Sequence, residues 1–441
     1  MCASLLGARR RQAVAKPRRK GSLPLSRMVV LPAGVESAEG AAYSFVDLGD
    51  SARVALSLAP GGRGPFREQA REVMAALQAI LAKQPEQMTV TVQTVFLRDA
   101  ADQAECEAIF GAHYGAQWPV TNFVSQPPCS GAALALEAWA IGGDSVRIER
   151  YGLEALVVSY DSVRWVHCGG VKALASLDGA YPQALDALAR LSRVLARAGC
   201  GLEQVVRTWF YLGGITDPEA KVWRYQELNR ARSDFYRAIR FHSSRLQRDN
   251  PPGVYPASTG IGMSSPGLVI GCLALETDRE DVLLLPLENP QQTPAYAYHS
   301  KYSSQSPKFS RAMALRLGDY LTTWISGTAS IVGSESCHPG DIEKQTEQTI
   351  DNIQRLIASD NFAAHGVSGA GAALHDLAKI RVYLKRLEDL DKCRAICRQR
   401  FGAVPAVYAV ADICRPELLV EIEGVAFSRY SPPARPLGPG K

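Results

Sequence analysis

The sequence predicts an α+β protein in which one chain of 441 residues contains three copies of a single structural unit. The first observation is that helices with apolar residues three or four positions apart recur at corresponding places. The second is that a β-branched strand follows each of them and ends in a leucine, at Leu97, Leu212 and Leu384. The third is that an apolar strand closes every copy. Such units cover one sheet face with helices and bury the other by packing together, so we expect a pseudo-trimer within the chain.

The first helix of each unit is predicted from a single apolar stripe at helical spacing. We expect these helices over residues 66–83, 181–198 and 344–357, and Gly199 is typical of a residue that ends a helix. The stripes are Ala70, Val73, Met74, Leu77, Ile80 and Leu81 in unit one, Leu185, Leu188, Leu191, Val194 and Leu195 in unit two, and Thr349, Ile350, Ile353, Leu356 and Ile357 in unit three.

The remaining elements follow from β-branched and apolar runs interrupted by a second helix and a proline-containing extended segment. The strands are expected at 90–97 and 133–139 in unit one, at 165–170, 205–212 and 268–273 in unit two, and at 324–331, 377–384 and 418–427 in unit three, and the second helices at 104–114, 225–236 and 390–401. The implied segments are a basic tail (1–27), unit one (28–150), unit two (151–282), an inter-unit loop and candidate lid (283–310), unit three (311–430) and a C-terminal tail (431–441).

Charge and composition exclude several classes of function. Seven basic residues between Arg9 and Lys20 account for the net charge of +5, so a nucleic-acid partner is not expected. No apolar run reaches 18 residues, which argues against a membrane span, and residues 1–27 lack the apolar core of a signal peptide. The ten cysteines form no CxxC pair and no Cys/His cluster at metal spacing. We expect a cytoplasmic protein with reduced thiols, no metal and no cofactor.

The closing strand of unit three carries two carboxylates. Side chains alternate along a strand, so Val420 and Ile422 share one face while Glu421 and Glu423 share the other. This pattern is typical of a half-buried strand whose carboxylates face water. The repeat indicates a different role for one of them.

The position of Glu421 is not acidic in the other copies. Glu421 lies sixteen residues after Pro405 in unit three. The residue sixteen positions after Pro119 in unit one is Ala135, and the equivalent position in unit two falls within residues 270–272, none of which is acidic. Carboxylates that only kept the sheet soluble would be expected in all copies. The repeat therefore singles out one site per chain, with Glu421 as its candidate acid.

Each unit resembles the reactive-intermediate deaminase (RidA/YjgF) family, through the stretches VVRTWFYL, LAKIRVYL and VEIEGVA. That family forms homotrimers with sites between subunits, so the resemblance implies a chorismate-mutase-like fold and a fused trimer that is monomeric as a chain. Its members hold a substrate carboxylate with an arginine just after a Pro-Ala pair. No arginine occupies the corresponding residues 121–122, 258–259 and 407–408. Imine deamination is thus disfavoured, although a deaminase and a small-ligand-binding protein stand as alternatives.

A closer resemblance, from about residue 40 onward, is to the chorismatases, which cleave chorismate and are built as fused RidA-like trimers. The matching stretches are Gln126–Ala133, Tyr255–Gly262, Pro307–Ala312, Ile325–Ile331 and Ala411–Arg415. The resemblance implies chorismate as the small-molecule substrate. Cleaving its enolpyruvyl ether without a metal requires a carboxyl that burial keeps protonated, and the family pattern places this acid at Glu421.

The same resemblance implies residues that bind the substrate. Arg394, and more weakly Arg232, are implied as partners of the two substrate carboxylates, and Tyr298 as an active-site tyrosine. Solvated helix faces are the alternative for the arginines, and ordinary loop packing is the alternative for the tyrosine.

Two further residues match the branch of the family that forms 3-hydroxybenzoate. Gly327 corresponds to a small glycine that lets the substrate ring approach, and Cys414 to a pocket cysteine that guides the opening of an arene oxide. By itself Cys414 is more typical of a buried structural thiol. The expected products are 3-hydroxybenzoate, with or without some 4-hydroxybenzoate, and pyruvate. The alternative within the family is hydrolysis to a dihydroxy-cyclohexadiene carboxylate.

Overall fold

The computed structural model describes residues 31–32, 40–49, 51–242, 254–298 and 305–432. The basic tail expected at 1–27, and residues 433–441 of the C-terminal tail, lie outside the described residues. Within the described ranges, no helix is both long enough and apolar enough to span a lipid bilayer.

Unit one folds as a six-stranded sheet covered by two helices. Its strands are β1 (Leu31–Pro32), β2 (Ala41–Asp47), β3 (Ala52–Leu58), β4 (Thr89–Leu97), β5 (Val120–Val124) and β6 (Leu134–Gly142), and its helices are α1 (Phe66–Ala82) and α2 (Gln103–Tyr114). The strand order is β1-β2-β3-β6-β4-β5, in which β4 and β5 are parallel. The predicted stripe of α1, including Val73 and Leu77, packs on this sheet.

Unit two repeats this architecture. Its strands are β7 (Arg147–Arg150), β8 (Ala155–Tyr160), β9 (Val163–Lys172), β10 (Val205–Gly213), β11 (Pro218–Glu219), β12 (Val222–Trp223), β13 (Ala257–Met263) and β14 (Leu268–Thr277), and its helices are α3 (Ala180–Arg197) and α4 (Arg224–Tyr236). The order β7-β8-β9-β14-β10-β13 matches that of unit one, and β11 and β12 form a separate hairpin. Strand β7 opens this sheet, although its residues were assigned to the end of unit one.

Unit three has the same strand order, β15-β16-β17-β22-β20-β21. Its strands are β15 (Leu283–Leu287), β16 (Ala312–Leu317), β17 (Tyr320–Ala329), β18 (Ile331–Val332), β19 (Glu335–Ser336), β20 (Leu377–Leu384), β21 (Ala406–Val410) and β22 (Val420–Arg429), and its helices are α5 (Ile342–Ile357), α6 (Ser359–Ala364) and α7 (Leu390–Phe401). The start of the expected inter-unit loop is therefore strand β15, which pairs with β16. An edge strand tolerates its Pro286, because one side of the strand needs no partner.

The three units contact one another in every pairwise combination. Gln126 of unit one donates a hydrogen bond to the Gly262 carbonyl of unit two at 2.6 Å, and the Gly262 amide donates to the Asp412 carbonyl of unit three at 2.8 Å. The Cys129 amide of unit one donates to the Tyr408 carbonyl of unit three at 2.9 Å. The three sheets meet in a shared apolar core, whose members include Val46, Ile141, Trp165, Val206, Met313, Trp324 and Val425.

Candidate active site

A cavity of about 320 Å³ lies between units two and three. Helix α4 and strand β13 of unit two form one wall, and strands β17 and β22 with residues 414–417 of unit three form the other. Five of the six predicted site residues line it together: Arg232, Tyr298, Gly327, Cys414 and Glu421. These residues span almost 190 positions of sequence, and the contact between two units brings them together.

Glu421 is the buried acidic group of this cavity, with its side chain 4% exposed, whereas Glu417 lies at the exposed rim. Burial, reinforced by the negative charge of Glu423, raises the pKa of Glu421 to about 8, although Arg207 and Arg311 act in the opposite direction. A carboxyl with this pKa is mostly protonated at neutral pH. Glu421 can therefore donate a proton to a bound molecule.

The strand register identifies the residues that replace Glu421 in the other units. Ala135 and Val269 hold the equivalent positions, because each lies opposite the residue that precedes the terminal leucine of the neighbouring strand. Ala135 is the predicted residue, whereas Val269 lies one position before the predicted range. The predicted range in unit two is displaced because the connection between its last two strands is shorter. Residues 264–267 form a short turn between β13 and β14, whereas nine residues join β21 to β22. Neither residue is acidic.

Glu423 does not face water, because it lies at the centre of a buried ion-pair network. Its carboxylate accepts hydrogen bonds from Arg207 at 2.5 Å, from the Trp209 indole at 3.1 Å and from the Tyr383 hydroxyl at 3.2 Å. Arg381 pairs with the same carboxylate at 3.1 Å. Two guanidinium groups thus compensate this negative charge. Because Glu423 lies on the same strand face as Glu421, its negative charge favours the protonated form of Glu421.

Gly327 makes room for the acid itself. It lies in a β-bulge between Ile325 and Thr328, where the pairing of β17 with β22 shifts register. A Cβ atom at this position would overlap the carboxylate oxygen of Glu421, lying 2.8 Å from its Cδ, and would sit 3.2 Å from Cγ2 of Thr259. The missing side chain of Gly327 therefore accommodates Glu421, and its expected role beside the substrate ring stays a prediction.

Arg232 places a positive charge in the cavity wall. Its side chain is buried, and it donates hydrogen bonds to Asn229 Oδ1 at 2.7 Å and to Ser258 Oγ at 3.3 Å. Its Nε atom is buried without a partner, and no carboxylate in the described ranges forms an ion pair with it. Because a buried charge is costly unless paired, this arrangement favours an anionic ligand.

Arg311 is a second buried cation in the cavity, and the sequence reasoning did not single it out. Its Nη2 donates to the Tyr298 hydroxyl at 2.5 Å and to the Thr293 carbonyl at 3.1 Å, while its Nε has no hydrogen-bond partner. Tyr298 in turn lies beneath Arg415, with 5.4 Å between the guanidinium carbon and the ring centre. The signal for Arg311 was its place in the stretch Pro307–Ala312, which had been noted only as a family match.

Cys414 lines the cavity as a neutral thiol. Burial, together with the nearby Glu421, raises the pKa of Cys414 to about 12. A thiolate nucleophile is therefore disfavoured at neutral pH, whereas a weakly polar thiol next to the acid can contact a bound ring.

Arg394 lies outside this cavity, and its expected place in the site needs correction. It lines a separate cleft between units three and one, where it pairs with Asp391 at 2.6 Å and its side chain is 37% exposed. The physical reason is that α7 and β21 of unit three face unit one, whereas the Glu421 carboxyl faces unit two. Helix α4 of unit two therefore supplies one of the cations of the cavity, Arg232.

Comparison with known proteins is consistent with this arrangement. No family model matches the chain. The chain is 35% identical over 232 residues to a chorismatase of Streptomyces rapamycinicus, which covers 51% of this chain and 64% of that protein. It is 35% identical over 297 residues to the 3-hydroxybenzoate synthase of Streptomyces hygroscopicus, which covers 66% of this chain and 81% of that protein. The chain belongs to the chorismatase family.

Solved structures and shorter relatives support the fold of this chorismatase-family member. The crystal structure of a chorismatase matches 77% of this chain and 93% of its own with a TM-score of 0.59 at 24% identity, which shows a shared fold. A RutC family protein of Pyrococcus abyssi is 31% identical over 90 residues, 20% of this chain and 63% of that protein. The predicted family and the α+β fold class are confirmed.

Proposed function

We propose that this chorismatase-family protein converts chorismate to 3-hydroxybenzoate and pyruvate. The observation that carries the proposal is a buried, protonated carboxyl, Glu421, in a cavity that also contains two buried arginines. Similarity to a protein named 3-hydroxybenzoate synthase supports the choice of product. The proposed products together contain all the atoms of chorismate, so no water is consumed.

Chorismate carries two carboxylates, and the cavity offers two cations for them. Arg232 and Arg311 each have a buried Nε without a hydrogen-bond partner. A guanidinium group binds a carboxylate through two parallel hydrogen bonds, so each arginine can hold one carboxylate and fix the orientation of the ring. Tyr298 keeps Arg311 in position through its hydroxyl.

Glu421 then protonates the methylene carbon of the enolpyruvyl group. Protonation at carbon produces an oxocarbenium ion at the ether, and the carboxylate left behind lies close enough to stabilise that positive charge. Burial, reinforced by the negative charge of Glu423, favours the protonated acid before substrate binds, and the bulge at Gly327 gives the carboxyl its space.

The product depends on which oxygen atom attacks C3 and displaces the activated ether. The C4 oxygen of the substrate attacks C3, pyruvate leaves, and the resulting arene oxide opens and loses a proton to give 3-hydroxybenzoate. Apolar and aromatic side chains in the cavity wall, including Phe309, Ala329 and Ile331, limit the access of water to C3. The Cys414 thiol lies near Glu421, where it can guide the opening of the epoxide.

Product analysis tests this proposal directly. Purified protein is incubated with chorismate, and the products are separated by chromatography and compared with authentic 3-hydroxybenzoate, 4-hydroxybenzoate and the diene diol acid. The Glu421→Gln variant, which cannot protonate carbon, should release no pyruvate above background. Glu343→Gln, at an exposed carboxylate of unit three, is the matched control and should behave as wild type. The diene diol acid as sole product, or an active Glu421→Gln variant, would overturn the proposal.

A further inference from the structure

A second cavity, of about 290 Å³, lies where the three sheets meet. It shares no lining residue with the cavity around Glu421. Several aromatic side chains contribute to its walls, among them Trp139, Trp165, Trp209, Trp324 and Phe427. The exposed residues Asp161, Gly318 and Asp319 lie at its rim, so the cavity opens to solvent.

Most charged groups that line this central cavity are already paired. Lys379 and Arg381 both form ion pairs with Glu137, and Arg279 pairs with Asp161 at the rim. Two lining carboxylates are thus engaged by three cations. The carboxylate of Asp319 lies at the exposed rim, away from this network.

Arg53 differs from these cations. Its guanidinium donates to the Tyr160 hydroxyl at 2.6 Å and lies 5.6 Å from the centre of that ring. Its Nε atom is buried without a hydrogen-bond partner, and no carboxylate of the described chain forms an ion pair with it. A guanidinium in this situation retains the capacity to bind an anion.

His167 adds an uncharged polar group beside Arg53. His167 is half-buried, and burial together with the charge of Arg53 lowers its pKa to about 3, so the imidazole is neutral. Its ring nitrogens have no hydrogen-bond partner among the described residues. A neutral imidazole offers one donor and one acceptor to a ligand.

We propose that this central cavity binds a small aromatic carboxylate, separately from the catalytic cavity. The guanidinium of Arg53, which has no ion-pair partner among the described residues, donates hydrogen bonds to the carboxylate, and His167 provides a further hydrogen bond. The indole rings that line the cavity favour a planar apolar body rather than an inorganic anion, and Trp165 and Trp324 pack edge to face there with ring centres 5.3 Å apart. A volume of about 290 Å³ lies at the lower end of ligand pockets, which favours a ligand with a single ring.

Fluorescence titration with 3-hydroxybenzoate and with benzoate tests this inference, because four of the six tryptophans line the cavity. Arg53→Met should weaken binding of both probes by roughly 10- to 100-fold, through loss of a charge-assisted hydrogen bond. Val92→Phe, which fills space while keeping Arg53, should weaken it similarly. Arg63→Met, at an exposed arginine, is the control and should leave the affinity unchanged.

A variant of the catalytic cavity distinguishes binding at that cavity from binding at the central cavity. Arg232→Met should leave the Arg53-dependent binding intact. The inference is overturned if Arg232→Met abolishes all binding while Arg53→Met and Val92→Phe leave it unchanged. It is also overturned if inorganic phosphate binds as tightly as benzoate, because that would indicate a simple anion site. Since binding is measured without turnover, either result leaves the proposed reaction untouched.

Discussion

Replacing Gly327 by alanine should slow pyruvate release by about 100-fold. A Cβ atom would lie 2.8 Å from Cδ of Glu421, whereas ordinary contacts begin at 3.4 Å, so the carboxyl carbon must move by about 0.6 Å (3.4 − 2.8), and the carboxylate oxygen that the Cβ atom overlaps must move further. Thr259 Cγ2, 3.2 Å away, limits the room on the other side. Misplacing a catalytic group by about 1 Å costs roughly 10²-fold in rate, which corresponds to ~2.7 kcal/mol in the barrier.

The assay follows pyruvate through a coupled lactate dehydrogenase reaction at saturating chorismate. Backbone strain does not complicate this variant, because Gly327 does not have a positive φ. Gly111→Ala is the control, since a Cβ there meets only a ring carbon of Trp118 at 3.7 Å. A Gly327→Ala protein that releases pyruvate within threefold of the wild-type rate would refute the argument that the acid needs this space.

Three further predictions concern substrate binding, product choice and assembly. Arg232→Met should raise KM for chorismate by at least tenfold, because a buried charge-assisted contact is lost. Arg394→Met should leave the steady-state kinetics unchanged, because Arg394 lines a different cleft. Equal effects of the two variants would contradict the separation of the two clefts. Cys414→Ala should keep pyruvate release but shift the chromatographic profile toward 4-hydroxybenzoate or the diene diol acid, and an unchanged profile would exclude a role in product choice. Sedimentation should show a monomer, because the contacts among units lie within the chain, and a stable trimer would contradict the fused arrangement.

The elements of each unit could be predicted because their signals are local. The helix over 390–401 and the strand over 377–384 occupy the predicted residues, since apolar spacing and β-branched content act within a few positions. The sequence predicts a loop at Leu283–Leu287, because Pro286 and the polar residues that follow obscure a short edge strand. Its pairing with β16 depends on residues some thirty positions away.

A site residue could be predicted from the repeat only where its residue type differs from those at the equivalent positions of the other two units. Glu421 stood out because neither Ala135 of unit one nor any of residues 270–272 of unit two is acidic. The burial of Glu423 could not be foreseen, because its partner Arg207 is 216 positions away and belongs to another unit. Arg394 was misplaced for a related reason, since local sequence does not indicate which neighbouring unit a helix faces.

The pH dependence of kcat/KM for chorismate tests most directly whether buried, protonated Glu421 is the acid. Because the pKa of Glu421 is raised to about 8, the reactive protonated form predominates at neutral pH and is lost as the pH rises through this value. We expect kcat/KM to be level between about pH 6 and 7 and to fall tenfold per pH unit well above pH 8. A kcat/KM that rises with pH and reaches a plateau above pH 8 would contradict the account, because the carboxylate would then be the active form.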